Sequence, residues 1–174
     1  TSTGDVEGEV IDEKMVPVFN EARLSQLLEK FTGDIQQIPP MYSALKHNGQ
    51  RLYALARKGQ VVDRPARDVT IKSLALLSKT SDSLTLEVCC TKGTYVRTLA
   101  EDIGNALGCG AHVTFLRRIK TGPFALSEAI TLEQLELLQG DLTALDNLLQ
   151  SLNLALLDYP EMSFSEEDKS HLCL

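Results

Sequence analysis

Two stretches of the chain carry residue types that core packing does not explain: residues 37–58, QIPPMYSALKHNGQRLYALARK, and residues 91–124, TKGTYVRTLAEDIGNALGCGAHVTFLRRIKTGPF. Both are rich in Gly, Pro, Tyr, Lys and Arg, the composition of loops that bind. In the second, Lys92-Gly93 sets a cation beside a residue that lets backbone approach a ligand closely. Tyr95 and Arg97 lie two apart on a segment that reads as a strand, so both side chains are expected on one face. A phenol beside a guanidinium suits nucleotide chemistry, because the ring can stack or exchange a proton while the guanidinium holds a carboxylate or phosphate. The plainer alternative has Tyr95 half-buried in the core and Arg97 paired with a surface carboxylate.

Arg117-Arg118-x-Lys120, next to Gly122-Pro123, is a compact basic cluster that could contact phosphates. It could equally be a solvated edge strand whose charges discourage pairing. In the first stretch Lys46, His47, Arg51, Arg57 and Lys58 bracket Tyr42 and Tyr53. Cations interleaved with aromatics are what a surface for looped or single-stranded RNA requires. A solvated helix face accounts for Arg57 and Lys58 but not for Pro39-Pro40-Met41-Tyr42-Ser43, which has no periodicity. Glu101 and Asp102 are neighbours in a helix and point in different directions, so the helix dipole explains them better than an acid/base pair. His112 has no partner in the sequence that would make it a metal ligand and reads as structural. The four cysteines show no CxxC or Cys/His spacing, which excludes a zinc site or disulfide scaffold and leaves reduced thiols as the simplest reading.

The elements that position these residues follow from periodicity and punctuation. Leu24, Leu27, Leu28 and Phe31 recur at helical spacing over 21–31, with Asn20 as N-cap and Phe19 as a staple onto Leu24. Residues 36–50 contain Pro39-Pro40 and Asn48-Gly49 and should be extended and looped. A short helix is expected over 51–58, stopped by Gly59. Val69 and Ile71 alternate in one strand, and Leu84, Leu86, Val88 and Cys90 in the next, with Thr80-Ser81-Asp82 as the turn. A helix with Leu99, Ile103 and Leu107 on one face should end at Gly108. Thr131 and Gln134 form a capping-box pattern, and a helix over about 142–150 has Asp141 as its cap.

The net charge of −7 over 174 residues argues against nucleic acid until its distribution is considered. Residues 31–123 carry 13 Lys/Arg against 7 Asp/Glu, whereas both flanks are acidic. A local basic stretch is enough for a polyanion, although an ordinary mixed surface fits the charge equally well. No apolar run is long enough to span a membrane, and Thr1-Ser2-Thr3-Gly4-Asp5 does not read as a signal peptide.

At 37–59, QIPPMYSALKHNGQRLYALARKG, and at 92–118, KGTYVRTLAEDIGNALGCGAHVTFLRR, the sequence closely resembles the TruB family of tRNA pseudouridine synthases, in its bacterial or organellar form. The opening TSTGDVEGEV resembles the segment that follows the family's active-site strand, and the likeness runs to roughly residue 139. The resemblance implies isomerisation of uridine 55 in the T loop of tRNA to pseudouridine. The base is flipped out of the loop, its glycosidic bond is broken with the help of an aspartate, and it is rejoined to the ribose through carbon. No metal or organic cofactor is implied. Tyr95 matches the tyrosine that contacts the flipped base, Arg97 the arginine that pairs with the catalytic aspartate, and Leu116 an apolar residue lining the uracil pocket. Lys46, Tyr42, Lys92, Arg117 and Arg118 would belong to the RNA-facing surface.

The family's nucleophile sits in a Gly-x-Leu-Asp-Pro-type loop that is absent from these 174 residues. That loop and a second active-site tyrosine are expected upstream of Thr1. Residues 1–157 are therefore expected to form a partial catalytic domain, and 158–174 to begin a truncated RNA-binding domain. The expected fold is α/β, more fully α+β, with a mixed, largely antiparallel sheet flanked by helices. The whole protein is expected to be a cytoplasmic, monomeric enzyme acting on the T stem-loop, and this chain alone to be inactive. The rivals are an RNA-binding fragment or relic without catalysis and an unrelated metabolic enzyme with an incidental basic patch.

Overall fold

In the computed structural model, which describes residues 1–157, 159–163, 165 and 168, Asn20 opens the first helix. Its side chain accepts a hydrogen bond from the Arg23 amide, one of the donors that a helix start leaves without a partner. Helix α1 (Glu21–Glu29) buries Leu24 and Leu28, one turn apart on the same face, and Phe19 packs against the same cluster. Strand β1 (Gly33–Gln37), which the sequence reading leaves unassigned, follows at once. Its alternation turns Ile35 and Gln37 towards the interior and Asp34 and Gln36 outwards.

The looped stretch that follows contains a small hairpin, β2 (Lys46–His47) against β3 (Gln50–Arg51). Asn48 and Gly49 have φ of 48° and 81°, the two positive values that a type I′ turn needs. Helix α2 (Leu52–Ala56) buries Leu52 and Leu55 and stops short of Gly59. Strands β4 (Arg67–Lys79) and β5 (Leu84–Cys90) pair through the expected turn, where the Thr80 hydroxyl bonds Asp82. Sheet order is β1-β4-β5, antiparallel throughout, with register slips in β4 between Ile71 and Ser73 and between Leu76 and Ser78.

Helix α3 (Val96–Leu107) buries Leu99 and Ile103 against Leu24, Leu28 and Ile71, and Gly108 ends it with φ of 89°. Each buried leucine or isoleucine in this cluster contributes about 2 kcal/mol. The helix begins earlier than the sequence reading has it, which corrects the strand expected at Tyr95–Arg97. Tyr95 is the N-cap, its carbonyl taking the first helical bond from the Leu99 amide at 3.0 Å, and Arg97 lies in the first turn. The apolar period that begins at Leu99 draws the three preceding residues, Val96, Arg97 and Thr98, into the helix, so Tyr95 and Arg97 do not share a strand face. Glu101 and Asp102 lie beyond the first turn, which holds no acidic residue, so the dipole does not account for them. His112, expected to be structural, is exposed rather than part of the core.

These elements make up the first of two compact units, Thr1–Phe115; the second is Leu116–Leu174. The second contains the hairpin β6 (Lys120–Thr121) and β7 (Phe124–Ala125), then α4 (Leu132–Leu137) and α5 (Leu142–Asp146). Thr131 and Gln134 form the expected capping box on α4. Asp141 caps α5 through the Ala144 amide, but the helix ends at Asp146 rather than near 150. It buries no residue, and a helix this short has little to sustain it without a packed face. The expected start of an RNA-binding domain at 158–174 lies largely outside the described residues.

Candidate active site

The start of the chain lies along α3 because two glycines permit close approach. A Cβ on Gly4, whose φ is 75°, would stand 2.9 Å from the Glu101 carboxylate and 3.5 Å from the Arg97 Cβ. The Val6 amide donates to the Val113 carbonyl at 3.0 Å and the Val113 amide to the Gly4 carbonyl at 3.0 Å. Residues 108–113 are held in turn by α3, where a Cβ on Gly104 would fall 2.3 Å from the Ala111 nitrogen. Asp5, which forms an isolated parallel bridge with Val113, is thereby fixed over the first turn of α3.

Arg97 ties two segments to the start of α3. Its Nη1 donates to the Asp5 carboxylate at 2.9 Å and to the Thr3 carbonyl at 3.1 Å, while Nη2 donates to the Tyr42 carbonyl at 2.8 Å. Both side chains of the ion pair are 27% exposed. The guanidinium has more N–H groups than these three acceptors use, so it retains capacity for another anion. The other Asp5 oxygen accepts from the Thr3 hydroxyl and the Glu7 amide. The Thr3 hydroxyl, with Arg97 and the Glu7 amide, holds the Asp5 carboxyl below the usual carboxylate range against the opposing effect of burial. Burial pushes Glu101 and Asp102 the other way, and for Glu101 the charges of Asp102 and Asp5 act in the same sense.

Tyr95 is half-buried, and its backbone is clasped by a side chain. The Tyr95 amide donates to Gln37 Oε1 at 3.0 Å, and Gln37 Nε2 donates to the Tyr95 carbonyl at 3.3 Å. Gln37 is 2% exposed, at the interior end of β1. The structure thus brings together Tyr42, Tyr95 and Arg97 from the sequence-derived set and adds Thr3, Asp5 and Gln37. Gln37 carries no signal of its own, because the strand that turns it inwards is defined by its pairing with β4. Asp5 carries none, because its partner lies 92 residues away.

Of the remaining candidates, Lys46 and Lys92 belong to the first unit. Lys46 is exposed on β2, where with His47, Arg64 and Arg67 it lines a small cleft beside Pro39 and Leu52. Lys92 is exposed at the turn before α3. Leu116, Arg117 and Arg118 are exposed and belong to the second unit. Tyr53 lies between Arg51 and Arg57, whose guanidinium carbons are 5.9 and 5.5 Å from its ring centre. Among the described residues no group of His, Cys, Asp and Glu is placed to hold a metal ion, and no helix is long and apolar enough to cross a membrane.

Residues 1–96 match the family described as TruB family pseudouridylate synthase (N terminal domain), and residues 97–157 match the tRNA pseudouridylate synthase B C-terminal domain. The chain belongs to the TruB family. It is 53% identical over 168 residues to tRNA pseudouridine synthase B of Ectopseudomonas mendocina (strain ymp). It is 55% identical over 168 residues to the protein of the same name from Pseudomonas aeruginosa (strain UCBPP-PA14). Each match takes in 95% of this chain but 55% of the relative, so the chain spans just over half the length of these TruB relatives. Among solved structures it is similar to a chain in a crystal structure of a Cbf5-Nop10-Gar1 complex, with a TM-score of 0.63 and 27% identity. That match covers 81% of this chain and 40% of the other. The arrangement of helices about an antiparallel sheet expected from the TruB resemblance is therefore the one the chain adopts.

Proposed function

We propose that the protein carrying this chain is a tRNA pseudouridine synthase that converts uridine 55 of the T loop, and that Tyr95 and Arg97 form part of its active site. The observation that carries this reading is a half-buried arginine, collected by Asp5, Thr3 and Tyr42, within a chain of the TruB family. In the reaction the bond from uracil N1 to ribose C1′ breaks, a bond from C5 to C1′ forms, N1 gains a proton and C5 loses one. The product is an isomer of the substrate, so no redox partner is needed. The base must leave its stack for this exchange, since neither atom can be reached inside the loop.

Asp5 orients Arg97 rather than attacking the sugar. Both of its oxygens already accept hydrogen bonds, and those bonds would have to loosen before either could bond to carbon. The attacking carboxylate comes from outside these residues and meets the donor capacity left on Arg97. Tyr95 contacts the flipped base and helps remove its C5 proton, and Leu116 lines the pocket. Lys46, Tyr42, Lys92, Arg117 and Arg118 face the RNA as contacts to the T stem-loop. The protein works as a cytoplasmic monomer without metal or cofactor, and residues 158–174 begin its RNA-binding domain.

The exposed basic residues around Tyr53 also favour a second reading, an RNA-binding module without catalysis. A T stem-loop with tritium at uridine C5 separates the two, because the isomerisation releases that hydrogen to water. The full-length protein should release tritium from a single uridine. Salt-sensitive binding without release would favour the module, and neither binding nor release an unrelated enzyme.

A further inference from the structure

We infer that Gln37 is a positioning residue for the reaction proposed above, setting the backbone of Tyr95 and through it the start of α3. This inference rests on that reading of Tyr95 and Arg97.

Gln37 has a buried carboxamide at a position that strand alternation gives to the interior, where Ile35 of the same strand is also directed. A polar group there needs partners for both a donor and an acceptor, and a peptide unit supplies both. The Tyr95 backbone is that peptide unit. The bonds of 3.0 and 3.3 Å use its N–H and its C=O, so the side chain pairs with Tyr95 much as a neighbouring strand would. Tyr95 has extended backbone angles, φ −97° and ψ 104°, and makes no side-chain cap. Its amide lies ahead of the helical bonds and takes its partner from Gln37. Its carbonyl is shared between Gln37 and the Leu99 amide, so the same carboxamide fixes where the helix begins.

The consequence reaches Arg97 two residues on. The chain leaving Gln37 passes Pro39 and Pro40 to Tyr42, whose carbonyl accepts from Arg97 Nη2 at 2.8 Å. Segment 37–42 is therefore tied to segment 95–97 at both ends, by Gln37 to Tyr95 and by Tyr42 to Arg97. Loss of the first tie leaves the second free to rotate Arg97 and the tyrosine together. Misplacing reacting groups by about 1 Å can cost on the order of 100-fold in rate.

The test uses the full-length protein and a T stem-loop RNA. Gln37→Met keeps the shape and removes both hydrogen bonds. It should lower kcat by about 10- to 100-fold with KM little changed, retain a cooperative melt, and speed hydrogen exchange at the Tyr95 amide. Gln37→Glu gives a readout that a purely structural role would not move. Protonated, the introduced carboxyl offers one donor and one acceptor, as the amide does; ionised, it only accepts. Its kcat relative to wild type should therefore recover as the pH is lowered and fall as it is raised. Asp34 on β1, Arg67 on β4 in register with residue 37, and Arg97, Glu101 and Asp102 on α3 are common to both proteins, so the ratio reports the introduced group. Unchanged kcat in both variants, or a pH-independent loss that follows melting temperature, would overturn the inference. If the wild-type protein itself forms no pseudouridine, the proposed function fails. The positioning claim is then decided by amide exchange at Tyr95, which must quicken in Gln37→Met for the claim to survive.

Discussion

Arg97 concentrates the chemistry at the scale of single residues. Two segments supply three acceptors to one guanidinium, and only one of these acceptors is a charged side chain, so most of its placement comes from backbone carbonyls. An arginine used for phosphate contact would gain little from such a cage, whereas one that must hold a carboxylate at a fixed angle needs it. Arg97→Ala in the full-length protein should therefore reduce kcat by about 100-fold or more while RNA affinity changes by less than about threefold. Equal losses in both would move Arg97 to the phosphate-binding surface. Asp5 gives a pH signature. Its pKa in the folded chain is lowered, so the stabilisation is present above the ordinary carboxylate value of about 4 and is lost as pH falls through the folded value. Melting curves of wild type and Asp5→Asn should differ at neutral pH, by no more than about 1 kcal/mol for a pair still partly open to solvent, and converge in acid. A constant gap across that range would contradict the assignment.

Among the elements, α3 does the most positioning. One face packs Leu99 and Ile103 into the core, its first turn presents Arg97, and its Gly104 lets the 109–111 turn lie against it. Gly104→Ala would force a methyl to within 2.3 Å of the Ala111 backbone and should destabilise the chain by about 2 kcal/mol or more, read as a lowered melting temperature. A neutral result would mean that the turn moves away without cost. The helix was legible in the sequence where its signals are local: the apolar period from Leu99 and the stop at Gly108. So were the Asn20 cap, the Asn48-Gly49 turn and the Thr131–Gln134 capping box, each set by residues within one turn of each other. Strand β1 was not legible, because Gly33-Asp34-Ile35-Gln36-Gln37 offers one apolar residue and is a strand only through its partner β4. The start of α3 was misjudged for a related reason. Thr94-Tyr95-Val96 has strand-forming side chains, and the core contacts of the helix outweigh that preference.

At the scale of the whole molecule, the basic residues of 31–123 and the acidic tail fall largely into different compact units, which is why total charge misleads. The long motifs at 37–59 and 92–118 made the family legible, and the matches to residues 1–96 and 97–157 bear it out. Of the candidate site, Tyr95, Arg97 and Tyr42 were legible, while Asp5 and Thr3 were not, since they reach Arg97 only through the fold. The central claim is that these 174 residues hold the tyrosine and arginine of a pseudouridine synthase while the attacking carboxylate lies elsewhere. Pseudouridine formed in a T stem-loop under single turnover, by the full-length protein and by residues 1–174 alone, tests it most directly. The expected result is conversion of one loop uridine by the full-length protein and none by the chain. Conversion by the chain alone would show that a carboxylate within it, Asp5 or Asp102, can attack, and would contradict the account.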